Sequence, residues 1–145
     1  MRILGILKRN TGSELDSSGQ SEQSQIARVA ALSQILDVLP DAAAIIDASD
    51  RVLEASANCV AMGLVSGSRI APVEIRALNR EVHRLHKTQS RESIINRTGS
   101  KLGDWEARVQ ISPIDEDLSL MIVQDLSEER RLNDVRRDFV ANVSH

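Results

Sequence analysis

The chain has 145 residues, a formal net charge of -3 and 41% hydrophobic residues, enough for one modest soluble domain with a small core and flanking segments. The acidic balance argues against a dedicated nucleic-acid binder, which would carry a basic excess. Trp105 and Phe139 are the only aromatic side chains and Cys59 the only cysteine, which argues against a flavin- or base-stacking pocket and excludes an intrachain disulfide or a cysteine-cluster metal site.

In chain order, Met1–Leu7 is a short apolar opening followed by Lys8 and Arg9. It falls well below the roughly 18–20 residues a membrane span needs. Apolar followed by basic is also the order found at the cytoplasmic end of a membrane helix. An ordinary tail is the preferred reading, a membrane tether the alternative, and the chain as it stands is expected to be soluble and cytoplasmic. Asn10–Gln25 is rich in Ser, Gly, Gln and Glu, so residues 1–25 are predicted to form a tail or linker. Val29, Leu32, Leu36 and Leu39 then repeat at helical spacing, which predicts a helix over 26–39 that stops before Pro40. That stripe suits either packing on its own domain or a short coiled-coil seam between two chains, the second being slightly favoured.

After the Pro40-Asp41 turn signal, Ala42–Asp47 reads as a buried strand, and Arg51–Ser56 as its hairpin return. Asn58–Val65 is short and helical or irregular, and Ser66-Gly67-Ser68 is a loop. Ile75, Leu78, Val82 and Leu85 mark a helix over 73–87. Ser93–Ile95 is a strand signal broken by Thr98-Gly99-Ser100. In the next strand Trp105, Ala107, Val109 and Ile111 alternate with polar residues, and Leu118–Val123 forms the last. Short connections between these three strands require antiparallel pairing. Residues 40–125 are therefore predicted to be an α+β domain, a five-stranded antiparallel sheet with short helices on one face, flanked by N-terminal and C-terminal helices.

Asp125 and Glu128 have capping-box spacing and open an exit helix over 126–145. Leu132, Val135 and Phe139 form its stripe, with Asn142 next in register. That stripe has too few partners for a core and calls for a second helix, which a homodimer would supply.

Arg136-Arg-Asp-Phe-Val-Ala-Asn-Val-Ser-His145 resembles the start of the phosphoacceptor box of two-component sensor histidine kinases, particularly the actinobacterial phosphate-sensing kinases. The strand order and the Leu39-Pro-Asp-Ala to Asp47 opening are similar to the PAS domain that precedes the box in those enzymes. Asp125-Leu-Ser127 resembles their Asp-x-Thr junction, with Ser127 retaining the hydroxyl. The resemblance spans Ile35 to His145 and stops at the histidine, before the acidic residue, Leu, basic residue and Thr-Pro that continue the family's box. It implies a PAS-like sensor feeding a signalling helix, with Asp125, Ser127 and Glu128 as coupling residues and His145 as phosphoacceptor. It also implies a response regulator as partner, ATP and Mg²⁺ in the complete kinase, and membrane anchoring of complete family members.

A neutral imidazole titrating near pH 6.5 can act as a nucleophile at neutral pH. The sequence holds no recognisable nucleotide-binding set, so the chain by itself is expected to bind no ATP and to have no kinase activity. The alternative function is a stand-alone PAS binding or dimerisation module, or a fragment with no phosphotransfer role.

Three other features carry weaker chemistry. His83 and His86 precede the third strand, where haem-binding PAS domains donate an axial ligand. Helical geometry puts His86 beside the apolar stripe and His83 away from it, making His86 the candidate, with a surface histidine as the preferred reading. Their spacing also permits half a metal site, without further ligands, so no bound metal or cofactor is expected. Asn58-Cys59 lacks the neighbours of the flavin light sensors, and flavin is rejected. Arg76, Arg80, Arg84 and Lys87 line one helix face, read as a solvated surface, with contact to anionic lipid as the alternative.

Overall fold

The computed structural model describes residues 17–96 and 103–143. Eleven elements follow in the order α1 (Ser17–Leu36), β1 (Ala42–Asp47), β2 (Val52–Ala55), α2 (Ala57–Ala61), β3 (Val65–Ser66), β4 (Arg69–Ile70), α3 (Val73–Leu85), β5 (Gln89–Ile95), β6 (Trp105–Pro113), β7 (Leu118–Asp125) and α4 (Ser127–Val143). Five strands form one antiparallel sheet in the order β2-β1-β7-β6-β5, and β3 and β4 pair as a separate small ribbon. The expected α+β architecture is the one observed.

Alternation along the strands divides the sheet into two faces. One face carries Ala42, Ala44, Ile46, Ala107, Val109, Ile111, Met121 and Val123, packed against Cys59 of α2 and Ile75, Leu78 and Val82 of α3. The other carries Ala43, Ile45 and Leu118, packed against Val29 and Leu36 of α1 with Leu32 and Leu39 beside them. Both faces of β1 are thus covered, so its run of apolar residues does not alternate with polar ones. The stripe of α1 is occupied within the chain. The favoured coiled-coil seam is replaced by packing on the chain's own sheet, because the exposed apolar face of β1 and β7 lies within reach. Arg28 of α1 adds an ion pair to Asp115 in the β6–β7 turn at 3.2 Å.

Several boundaries move. The first helix begins at Ser17, so Ser17–Gln25 of the expected linker is helical. Gln and Glu favour helix even where no apolar period marks it. β5 starts at Gln89, four residues before its apolar signal, because an edge strand can carry polar residues along most of its length. The Ser66–Ser68 loop is the tip of the β3–β4 ribbon, turned at Gly67 with φ +62°. The expected break at Thr98–Ser100 lies outside the described residues.

Candidate functional site

The connection from the sheet into α4 is the most specific geometry of the chain. β7 delivers Asp125, whose Oδ1 accepts a hydrogen bond from the Ser127 N–H at 2.8 Å. This Asx turn redirects the backbone into the helix. Among the described residues Asp125 and Glu128 exchange no hydrogen bond, so the Asx turn takes the place of the expected capping box. Between them Leu126 is 1% exposed, and its N–H donates to the Glu106 carbonyl of β6 at 2.9 Å. From there the Arg130 N–H reaches the Leu126 carbonyl at 2.9 Å, which starts the helical ladder.

An ion-pair chain reinforces this root on the sheet face opposite α3. Arg130 donates from Nε to Glu106 at 2.7 Å and from Nη2 to Glu92 at 2.8 Å. The second oxygen of Glu92 accepts from Arg108 Nη2 at 2.8 Å, and Arg108 Nη1 donates to the Gln124 side-chain oxygen at 3.1 Å. The β5–β6 register sets Glu92 opposite Arg108, and the β6–β7 register sets Arg108 opposite Gln124. Bonding to Arg108, and the charges of Arg108 and Arg130, hold the Glu92 carboxyl below its ordinary value. Bonding to Glu106, with the charges of Glu106 and Glu92, raises that of Arg130. Residues 106 and 108 occupy the polar phase of the β6 alternation. That phase was the available sequence signal for the network, whose partners become evident only once strand register is known.

Beyond its root α4 buries no residue. Leu132, Val135, Phe139, Val140 and Val143 are each at least 55% exposed. Asp125, Ser127 and Glu128 are therefore brought together at the root, whereas His145 lies outside the described residues.

A second polar cluster is buried. Asn79 of α3 donates from Nδ2 to the Asp47 carbonyl at 2.9 Å and to Asp50 Oδ1 at 3.0 Å, while its Oδ1 accepts from Ser119 Oγ at 2.9 Å. Asp50 takes a left-handed backbone with φ +65°, which Asp tolerates better than most residues. This cluster ties α3 to the β1–β2 turn and to β7. Asn79, four residues after Ile75 and three before Val82 and so in line with the apolar stripe, was its sequence sign.

His86 is the left-handed C-cap of α3, with φ 53°, and is exposed. Helical projection fails there because the residue has left the helix. His83, expected to point away, is half-buried and its Nε2 is enclosed without a hydrogen-bond partner. Cys59 is fully buried, and desolvation pushes its thiol up to about 12. Ser56 Oγ caps α2 by accepting from Cys59 N–H and also accepts from Ala43 N–H. An open cleft of about 370 Å³ lies between Pro40–Ala42, α2 and the end of β7, with Asp125 on its rim. Among the described residues no group of three or more His, Cys, Asp or Glu could hold a metal ion. No described helix is long and apolar enough to cross a membrane.

No protein-family model and no curated protein matches the chain. Solved structures do. The PAS domain of BvgS from Bordetella pertussis aligns with a TM-score of 0.54 at 14% identity, over 80% of this chain and 98% of that one. A Rhodobacter sphaeroides LOV protein aligns at 0.53 and 15% identity, over 72% and 68%. The phage VqmA–DPO complex aligns at 0.58 and 14% identity, over 83% of this chain and 62% of its own. The shared feature is the PAS fold: a five-stranded antiparallel sheet with short helices across one face.

Proposed function

We propose that this chain is the sensory and signal-transmitting part of a two-component sensor histidine kinase. In this reading the PAS-fold domain couples to ATP-dependent phosphorylation of His145, followed by transfer to an aspartate of a response regulator. The observation that carries it is the continuity of α4. The helix is rooted in the sheet at Leu126 and runs unbroken and exposed to Val143, through eight of the ten residues of the phosphoacceptor-like run Arg136–His145.

The mechanism is mechanical. Strain or ligand-dependent change in the sheet moves β7, and Asp125, Leu126 and Ser127 pass that movement into α4. Two copies pair through Leu132, Val135 and Phe139, and a rotation of the pair changes access to His145. In the complete kinase the neutral imidazole would attack the γ-phosphorus of ATP in line, the new N–P bond forming as the bond to the departing ADP oxygen breaks, and Mg²⁺ would offset the phosphate charge. The ATP-binding domain comes from outside the residues seen here, and a membrane tether is compatible with the apolar-then-basic N-terminus. Signal sensing by the PAS-fold domain belongs to the same proposal.

The test supplies a separately made histidine-kinase catalytic domain, Mg²⁺ and labelled ATP in trans. Acid-labile phosphate on His145, lost in His145→Gln, is the expected result. Label on another side chain, or none with a catalytic domain active on its own substrate, rejects the assignment and leaves a PAS-fold binding or dimerisation module.

A further inference from the structure

α4 is a lever with a narrow root. Its 17 residues extend about 25 Å at the α-helical rise, and no side chain from Ser127 to Val143 is buried. What fixes its direction lies within the first turn. Leu126 supplies one buried side chain and two backbone hydrogen bonds, through its N–H to Glu106 and its carbonyl from Arg130. A single residue with those bonds restrains translation well but rotation poorly, since it acts as a pivot.

The second point of attachment is Arg130. Its guanidinium spans two carboxylates on different strands, Glu106 of β6 and Glu92 of β5. A planar fork engaging two separated acceptors defines a direction as well as a position. Glu92 is in turn held by Arg108, which is held by Gln124 of β7. The fork therefore rests on three adjacent strands, and its set point follows their register.

We infer that Arg130 is the positioning residue of the exit helix, an electrostatic latch that selects one direction of α4 relative to the sheet. The four charged members of the chain are between 40% and 48% exposed, so salt screens them and each contact is individually weak. The latch holds an orientation and can be undone without unfolding the domain. Asp125 and Ser127 form the turn; Arg130, which no junction motif singled out, aims the helix. What the swivel controls rests on the proposed function, but the latch does not.

The test places spin labels on cysteines introduced at Gln110 on β6 and Asp138 on α4, both exposed. Cys59 stays in place because it is buried. Labelled chain is diluted into excess unlabelled chain, so that the distance measured is within one copy. At low salt one narrow distance distribution is expected. Arg130→Gln broadens it roughly twofold, and so does raising ionic strength to about 1 M, where the screening length is only about 3 Å. Arg130→Lys, which keeps the charge and loses the fork, broadens it less. Arg131→Gln, a neighbouring exposed arginine outside the chain of ion pairs, leaves it narrow. An Arg130→Gln distribution as narrow as the parent's, with the thermal midpoint unchanged, overturns the latch. Equal broadening by Arg131→Gln does so too, because the effect would then be general to the helix. Neither outcome bears on whether His145 accepts phosphate, and an absence of phosphate on His145 would leave the distance result standing.

Discussion

Cys59 shows how burial sets chemistry at a single residue. Removal from water disfavours the thiolate and lifts its pKa from 9.0 to about 12. The folded state then binds more protons than the unfolded state between those values, so this group's contribution to stability is full below pH 9 and falls as pH rises toward 12. Native protein at pH 8 is expected to resist alkylation at Cys59 and to react fully in denaturant, measured by mass shift. Rapid labelling of the folded chain would contradict the burial. Ser56, directly before α2, shows the same principle for hydrogen bonds. One hydroxyl satisfies two backbone N–H groups, Ala43 and Cys59, where β1 and α2 meet.

At the scale of elements, the two long helices put similar apolar spacing to opposite uses. α1 spends its stripe on the sheet, with Val29 and Leu36 at 1% and 2% exposure, whereas among the described residues the stripe of α4 stays exposed. Substitutions should separate accordingly. Leu36→Ala is expected to cost about 2–5 kcal/mol in denaturant unfolding, the usual range for truncating a buried leucine. Val135→Asp should leave that unfolding almost unchanged, because Val135 is 57% exposed. It should also weaken self-association measured by sedimentation, since the proposed pairing would put that charge in the seam between copies. A Val135→Asp chain that self-associates like the parent would remove α4 as the pairing surface. The network around Arg130 belongs to this scale as well, since three strands must be in register before its carboxylates and guanidinium groups meet.

For the whole molecule, both apolar clusters close without α4. A chain ending after Leu126 is expected to melt in one cooperative transition at nearly the parent's midpoint, followed by circular dichroism. Loss of cooperative melting would mean that the helix is integral to the domain. Much of this architecture was legible in the sequence. Two-residue alternation in β6 and the Ile75/Leu78/Val82 period in α3 are direct consequences of one-sided burial. The start of α1, the polar half of β5 and the β3–β4 ribbon were not, because no apolar period marks them. At the candidate site, Asp125 was legible as capping chemistry, and Ser127 only through the resemblance of Asp125-Leu-Ser127 to an Asp-x-Thr junction. Arg130, Glu92, Glu106 and Arg108 were not, because their meaning depends on cross-strand partners up to 38 residues apart. His86 is exposed, in line with the preferred surface reading, but its direction was not legible because helical projection does not apply to a residue that has left the helix.

The strand order leaves β5 on the outer rim, with one row of backbone groups that no strand among the described residues claims. Such a rim can template a foreign strand and seed aggregation. Here Arg91 faces one way and is paired with Glu81 of α3, while Glu92 faces the other and is held between two arginines. Charges on both sides of the strand guard the rim, so an incoming chain would have to desolvate or displace them before it could dock. The residues that steer the outgoing helix thereby also help to keep the domain from adding strands indiscriminately.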